Sequence, residues 1–192
     1  APTNQRLFGI ICDTSGSMGG AKMIAAKDAI VKIINLLPND ATFFVVTWSS
    51  RAKLLVPLVN AVPENKLRAI TQVKEIIAGG GTLMSTWLHT ALGEFSKMPQ
   101  AICQALLLTD GQNDSNDEDD LTRILDAAEG KFECECRGVG TDWRVAELQK
   151  IAARLLGTTD IIPSPDRIAE DFQAILTKAM GKTVSDVSLR LW

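Results

Sequence analysis

The sequence predicts an α/β fold: a doubly wound, mostly parallel six-stranded sheet with one antiparallel edge strand and helices on both faces. Three observations carry this expectation. Short apolar runs alternate with helical patterns along most of the chain. The run Ile102 to Thr109 is apolar in the manner of a strand covered on both faces. The gap between the second and third strand-like runs is too short for a crossover helix, so that pair is antiparallel. A length of 192 residues fits one domain with a sizeable core, and 46% hydrophobic against 22% charged residues excludes wholesale disorder.

Taken in order, Leu7 to Cys12 reads as a buried strand, stopped by Asp13-Thr14-Ser15-Gly16-Ser17. Ala21 to Leu37 has helical spacing, with Met23, Ala26, Ile30, Ile34 and Leu37 on one face, and Pro38-Asn39-Asp40 ends it. Thr42 to Trp48 and Lys53 to Val59 are β-branched or alternating runs and read as strands. Glu64 to Ile77 is helical until Gly79-Gly80-Gly81, and Leu83 to Phe95 is helical again. After the strand Ile102 to Thr109 come a helix over Leu121 to Ala128, a strand over Phe132 to Val139, a helix over Val145 to Leu156 and a short strand at Ile161-Ile162. Ser115, Asn116 and Asp117 are the candidate caps of the first of these helices. Ser164-Pro165-Asp166 opens a last helix that runs to about Met180.

Charge and composition narrow the function. A net charge of -3 argues against a nucleic-acid or anionic-membrane binder acting by bulk charge. No apolar run approaches the roughly 20 residues of a membrane helix, and no secretory signal pattern opens the chain. The four cysteines, Cys12, Cys103, Cys134 and Cys136, lie in strand-like stretches without a CxxC pair, and there is one His. A zinc site is therefore poorly supported, although Cys134 and Cys136 share a strand face; reduced core thiols in a cytoplasmic protein are the expectation.

Right-handed crossovers place the strand-to-helix loops on one rim of such a sheet, and ligands bind there, where the strand order reverses. Three of those loops carry oxygen donors: Asp13, Ser15 and Ser17 after the first strand, Thr82 at the end of the glycine loop, and Asp110 after the fourth strand. Carboxylates and hydroxyls are hard ligands that together suit Mg²⁺ or Mn²⁺. Two carboxylates neutralise the ion, and the neutral hydroxyls leave it electrophilic towards one more oxygen. Gly16 and Gly81 are expected to let the backbone close round it. A helix cap is the alternative role for Asp13 or Ser17 taken singly.

This arrangement of Asp13-x-Ser15-x-Ser17, Thr82 and Asp110-Gly111, with Leu106-Leu107-Leu108-Thr109 before it and Gly80-Gly81 in the glycine loop, resembles the metal-ion-dependent adhesion site of von Willebrand factor type A domains. The resemblance runs from about Leu7 to Met180 and looks closest to the bacterial intracellular branch. It implies strand order 3-2-1-4-5-6 with the third strand antiparallel. It also implies that Ser15, Ser17 and Thr82 bind Mg²⁺ directly or nearly so, with Asp13 and Asp110 acting partly through water. A protein partner's Asp or Glu would complete the shell. AAA+ ATPase systems are the partners such bacterial domains often work beside.

Other features have plainer readings. Asp110 to Asp120 holds six carboxylates, expected as a solvated loop and an acidic first helical turn, or else as a site for a second cation or basic partner. Trp48 and Trp143 each follow a strand, as exposed partner contacts or as covers for the core edge. His89 is expected at the surface of a helix, or half-buried in it. Enzyme readings are weaker: Gly16-Ser17-Met18-Gly19 is not a hydrolase GxSxG, and no Walker loop is present. The alternative kept is a metal-dependent phosphohydrolase, which would want a carboxylate where Ser15 stands and a rim lysine; Lys22 and Lys27 are expected along a helix flank instead. Residues 1–181 are thus read as one domain. Residues 182–192, with Val187, Leu189 and Leu191 alternating, read as a strand that is expected to begin a further region of a longer protein, or else to pack as an edge strand on this domain.

Overall fold

In the computed structural model, the described residues are 5–139, 145–162, 167, 170, 171 and 173–177. Six strands form one sheet: β1 (Arg6–Asp13), β2 (Thr42–Trp48), β3 (Ala52–Asn60), β4 (Ile102–Thr109), β5 (Glu133–Val139) and β6 (Thr159–Ile162). Their order is β3-β2-β1-β4-β5-β6, parallel throughout except for the antiparallel β2–β3 pair. The helices are α1 (Ala21–Leu36), α2 (Pro63–Lys74), α3 (Met84–Phe95), α4 (Glu118–Ala128) and α5 (Val145–Arg154).

Alternation along β1 divides the core into two layers. Phe8, Ile10 and Cys12 face one layer with Met23, Ile30 and Val73 of α1 and α2; Leu7 and Ile11 face the other with Trp87, Leu121 and Leu148 of α3, α4 and α5. Both faces of β1 are covered, which is why its sequence reads as an unbroken apolar run. Gly9 is required at its place: a Cβ there would stand 2.6 Å from the Phe44 ring and 2.8 Å from that of Phe95. The space goes to an aromatic stack in which Phe95 meets Phe44 edge-on at 4.9 Å and Phe132 face-on at 4.5 Å.

β5 departs from the all-apolar pattern. Cys134 and Cys136 lie in the second layer with their sulfurs 3.9 Å apart, while Glu135 and Arg137 alternate with them and are also buried. Arg137 donates from Nε to Asp171 at 2.6 Å and from Nη1 to the Thr158 carbonyl at 3.2 Å. This charged face pairs with the C-terminal helical residues instead of packing against hydrocarbon. Among the described residues 170, 171 and 173–177 are helical, as expected for the last helix. Its start at 164–166 and the strand expected over 182–192 lie outside the described residues.

Candidate metal centre

β1 and β4 are adjacent, yet the chain leaves them for opposite sides of the sheet: β1 leads through α1 to β2, and β4 leads through α4 to β5. The rim between them is the point where strand order reverses, and it carries Asp13 and Asp110. Both carboxylates are fully buried, as is Ser15, whereas Ser17 is exposed and Thr82 half-exposed. The site is therefore acidic at its floor and open at a hydroxyl-lined mouth.

Hydrogen bonds fix the first loop. Asp13 Oδ1 accepts the Ser15 N–H at 2.8 Å, and Asp13 Oδ2 accepts the Thr109 hydroxyl at 2.6 Å, across from β4. Thr109 Oγ1 in turn accepts the Gly111 N–H at 3.0 Å. Ser15 Oγ and Ser17 Oγ lie 3.1 Å apart, so they point to a common region. Asp110 Oδ1 accepts the Gln112 N–H at 3.3 Å, but Asp110 Oδ2 is buried with no hydrogen-bond partner among the described residues. Burial raises Asp13 from 3.8 to about 6; the Thr109 and Ser15 hydrogen bonds oppose the shift, and the charge of Asp110 adds to it.

The glycine loop brings Thr82 to this rim. Gly16 N–H donates to the Gly80 carbonyl at 3.1 Å and Gly79 N–H to the Thr14 carbonyl at 2.7 Å, which ties the loop to the first loop. Asp114 N–H donates to the Thr82 carbonyl at 2.8 Å, which ties it to the third. Gly80 takes φ +94°, a conformation that favours glycine. The crowding at Gly81 comes from an unexpected neighbour: a Cβ there would lie 2.9 Å from Ser50 Oγ of the β2–β3 turn. At Gly16 a Cβ would make only ordinary contact, 3.7 Å from the Gly80 carbonyl.

Several other residues depart from expectation. Asp117, read as part of a solvated acidic loop, is buried and reaches α3 instead of capping α4. Its carboxylate accepts the Ser85 N–H at 2.8 Å and also the Ser85 hydroxyl. Asn113 Oδ1 accepts the Met84 N–H at 3.0 Å, so the loop after Asp110 supplies the caps of the helix after Thr82. Asp114, Glu118, Asp119 and Asp120 are exposed, as a solvated loop and first turn should be. Trp48 is fully buried in the second core layer and offers no exposed contact; it closes the series Phe44, Val46, Trp48 on one strand face. Trp143 lies outside the described residues, and His89 is exposed. Lys22 is not confined to a helix flank: its Nζ lies 4.0 Å from Asp110 Oδ2. Lys27 does turn away, donating to the Lys74 carbonyl at 3.0 Å.

The donor set fits a hard divalent cation. Among the described residues no three His, Cys, Asp or Glu side chains cluster as metal ligands. A cation here would depend on two carboxylates and on hydroxyls, the combination that favours Mg²⁺ or Mn²⁺ over zinc. Asp110 Oδ2, buried with an unfilled acceptor, is the kind of group such an ion satisfies. Beside the glycine loop, a cleft of about 450 Å³ opens between the β2–β3 turn and the end of α2, with Thr14, Arg51, Lys53, Gln72, Glu75 and Gly79 among its walls.

Known proteins show the same architecture. A solved von Willebrand factor type A structure from Catenulispora acidiphila superposes with a TM-score of 0.89 at 40% identity, over 93% of this chain and 43% of that one. An uncharacterized protein of Synechocystis sp. is 26% identical over 95% of this chain and 43% of its own length. Human inter-alpha-trypsin inhibitor heavy chain H4 is 30% identical over 74% of this chain and 16% of its own. The chain thus spans less than half the length of each of these relatives. Von Willebrand factor type A domains are generally protein-interaction modules. The von Willebrand factor type A domain family matches residues 9–161, and the chain belongs to that family.

Proposed function

We propose that this domain binds a protein partner through a divalent cation, Mg²⁺ or Mn²⁺, held at the rim by Asp13, Ser15, Ser17, Thr82 and Asp110. The observation that carries this reading is the buried Asp110 Oδ2, which accepts no hydrogen bond among the described residues, beside a hydroxyl-lined mouth. The cation supplies an electrophilic position for an outside oxygen. Ser15 and Ser17 offer neutral donors, Thr82 a third from the glycine loop, and the two carboxylates balance the charge. Thr109 and the Ser15 N–H hold Asp13 in place, so its role is largely to orient and neutralise. An Asp or Glu of the partner completes the shell, and residues flanking that acid would occupy the cleft lined by Arg51 and Lys53.

The reading is of a binding module, with no catalytic step assigned. A metal-dependent phosphohydrolase would gain a rim lysine from Lys22, but position 15 remains Ser15 where that chemistry wants a carboxylate. A generic phosphate ester with Mg²⁺ should therefore be left unhydrolysed. AAA+ ATPase systems are the first partner class to test. A cytoplasmic setting is part of the proposal, supported by cysteines carried as free thiols. The deciding experiment is capture of a partner with Mg²⁺ and with EDTA, followed by Asp→Asn and Glu→Gln substitutions in the captured protein. One acidic residue should prove indispensable, and only when metal is present. Capture that survives EDTA places the interface elsewhere on the domain.

A further inference from the structure

Resting on the metal reading above, we infer that Lys22 is the internal counter-ion of the metal-free site and is displaced from Asp110 by the incoming divalent cation. Three observations lead there. Of the two rim carboxylates, Asp13 has both oxygens engaged, by Ser15 N–H and by Thr109 Oγ1, whereas Asp110 Oδ2 accepts no hydrogen bond among the described residues. The Lys22 ammonium lies 4.0 Å from that same oxygen, close enough for charge to be felt and too far for a hydrogen bond. Lys22 also stands where a helix disfavours a cation: it is the second residue of α1, whose first turn has no acid to offset the positive end of the helix dipole. Asp110 is the group that compensates for this placement.

The Lys22 side chain is one-quarter exposed and Asp110 is fully buried. The ammonium thus has a path to water, while the carboxylate does not. A divalent cation that takes Asp110 Oδ2 meets Lys22 as a like charge at short range, and the long, partly exposed stem lets the ammonium swing towards the mouth. Metal affinity is then the balance of an exchange, one ammonium out and one cation in. Lys22 lowers that affinity while keeping the empty site from carrying two unneutralised carboxylates. No hydrogen bond between Lys22 and Asp110 is lost in the exchange, because at 4.0 Å none is made, and the Gln112 N–H stays on Asp110 Oδ1.

The test compares Lys22→Met and Lys22→Arg with the wild-type chain, using Mg²⁺ alone as the probe. Isothermal titration should show Lys22→Met binding Mg²⁺ about 3- to 10-fold more tightly, an effect sized for a partly screened charge at this range. In EDTA the same variant should melt below wild type, because Asp110 then has no counter-ion. Lys22→Arg, which keeps the charge, should stay near wild type in both measurements. Unchanged or weaker Mg²⁺ binding by Lys22→Met, in a wild-type background that does bind, overturns the exchange and leaves the metal reading intact. Absence of Mg²⁺ binding in wild type and Lys22→Met alike overturns both.

Discussion

Asp13→Asn isolates the electrostatic cost of the empty site, because it removes the charge and keeps the shape. Burial raises Asp13 from 3.8 to about 6, so between those values the folded chain holds a proton that the unfolded chain releases. Stability of the metal-free domain therefore falls as pH rises through that window. The penalty is complete above about pH 6 and absent below about pH 4. Roughly two pH units at about 1.4 kcal/mol each give a cost of about 3 kcal/mol at neutral pH. The asparagine escapes this cost, and its carbonyl still accepts the Ser15 N–H. It fails at Thr109, whose hydroxyl now donates to Asp13 Oδ2 and accepts the Gly111 N–H. An amide there strands the hydroxyl hydrogen, at about 1–2 kcal/mol. The net gain at pH 7.5 is about 1–2 kcal/mol, or about 2–8 °C in Tm for a domain of this size. At pH 4 wild-type Asp13 is protonated and can itself donate, so the asparagine should melt lower than wild type. Thermal unfolding in EDTA across pH 4 to 7.5 reads the sign reversal directly. An asparagine variant that melts below wild type at both ends refutes the assignment of a buried, charge-strained Asp13. Asp13→Ala is a poorer probe, since it also deletes both hydrogen-bond acceptors.

Asp117→Ala should cost about 2–3 kcal/mol and lower Tm by about 5–10 °C, because it uncaps α3 and leaves the Ser85 N–H and hydroxyl buried without an acceptor. Asp117→Asn should recover part of the loss, and calorimetry of the two variants checks the order. The thiols should be slow to react in the native state: burial pushes Cys12 and Cys134 well up, and Cys103 up to about 11. Thiol titration without reductant should count four free thiols after denaturation; an intact mass two units low would reveal a disulfide and argue for an oxidising compartment.

The sheet was legible because its signals are local. The expected strands over Thr42 to Trp48 and Ile102 to Thr109 match β2 and β4 end for end, since both are buried on two faces and bounded by polar turns. The short link after Trp48 required the antiparallel pair. The reversal point followed from connectivity, and with it the meeting of the loops that carry Asp13, Thr82 and Asp110. What escaped depends on side chains meeting across elements. Lys22 looked like a flank residue because nothing in its spacing shows that α1 begins over the fourth-strand loop. Asp117 looked like one acid among six, and only the packing of the third loop on α3 singles it out. Trp48 could have been placed: Phe44, Val46 and Trp48 alternate onto one face, and period two alone puts the ring in the core. Glu135 and Arg137 on β5 keep period two but read as a solvent-facing side, and only the distant Asp171 and Thr158 explain their burial.

Whether the rim holds a divalent cation through Asp110 is read by titrating Mg²⁺ into the EDTA-stripped domain, by calorimetry and by melting temperature, alongside Asp110→Asn. Uptake of one ion should be saturable, with stabilisation that grows as free Mg²⁺ rises and reaches about 2.7 kcal/mol at a hundred times Kd. Asp110→Asn should lose both the heat and the rise in Tm, while Ser15→Ala and Thr82→Ala should weaken binding less, since water can replace a neutral donor. A wild-type domain whose melting temperature ignores Mg²⁺ and Mn²⁺, or an Asp110→Asn variant that takes up the ion as well as wild type, would contradict a cation held through Asp110.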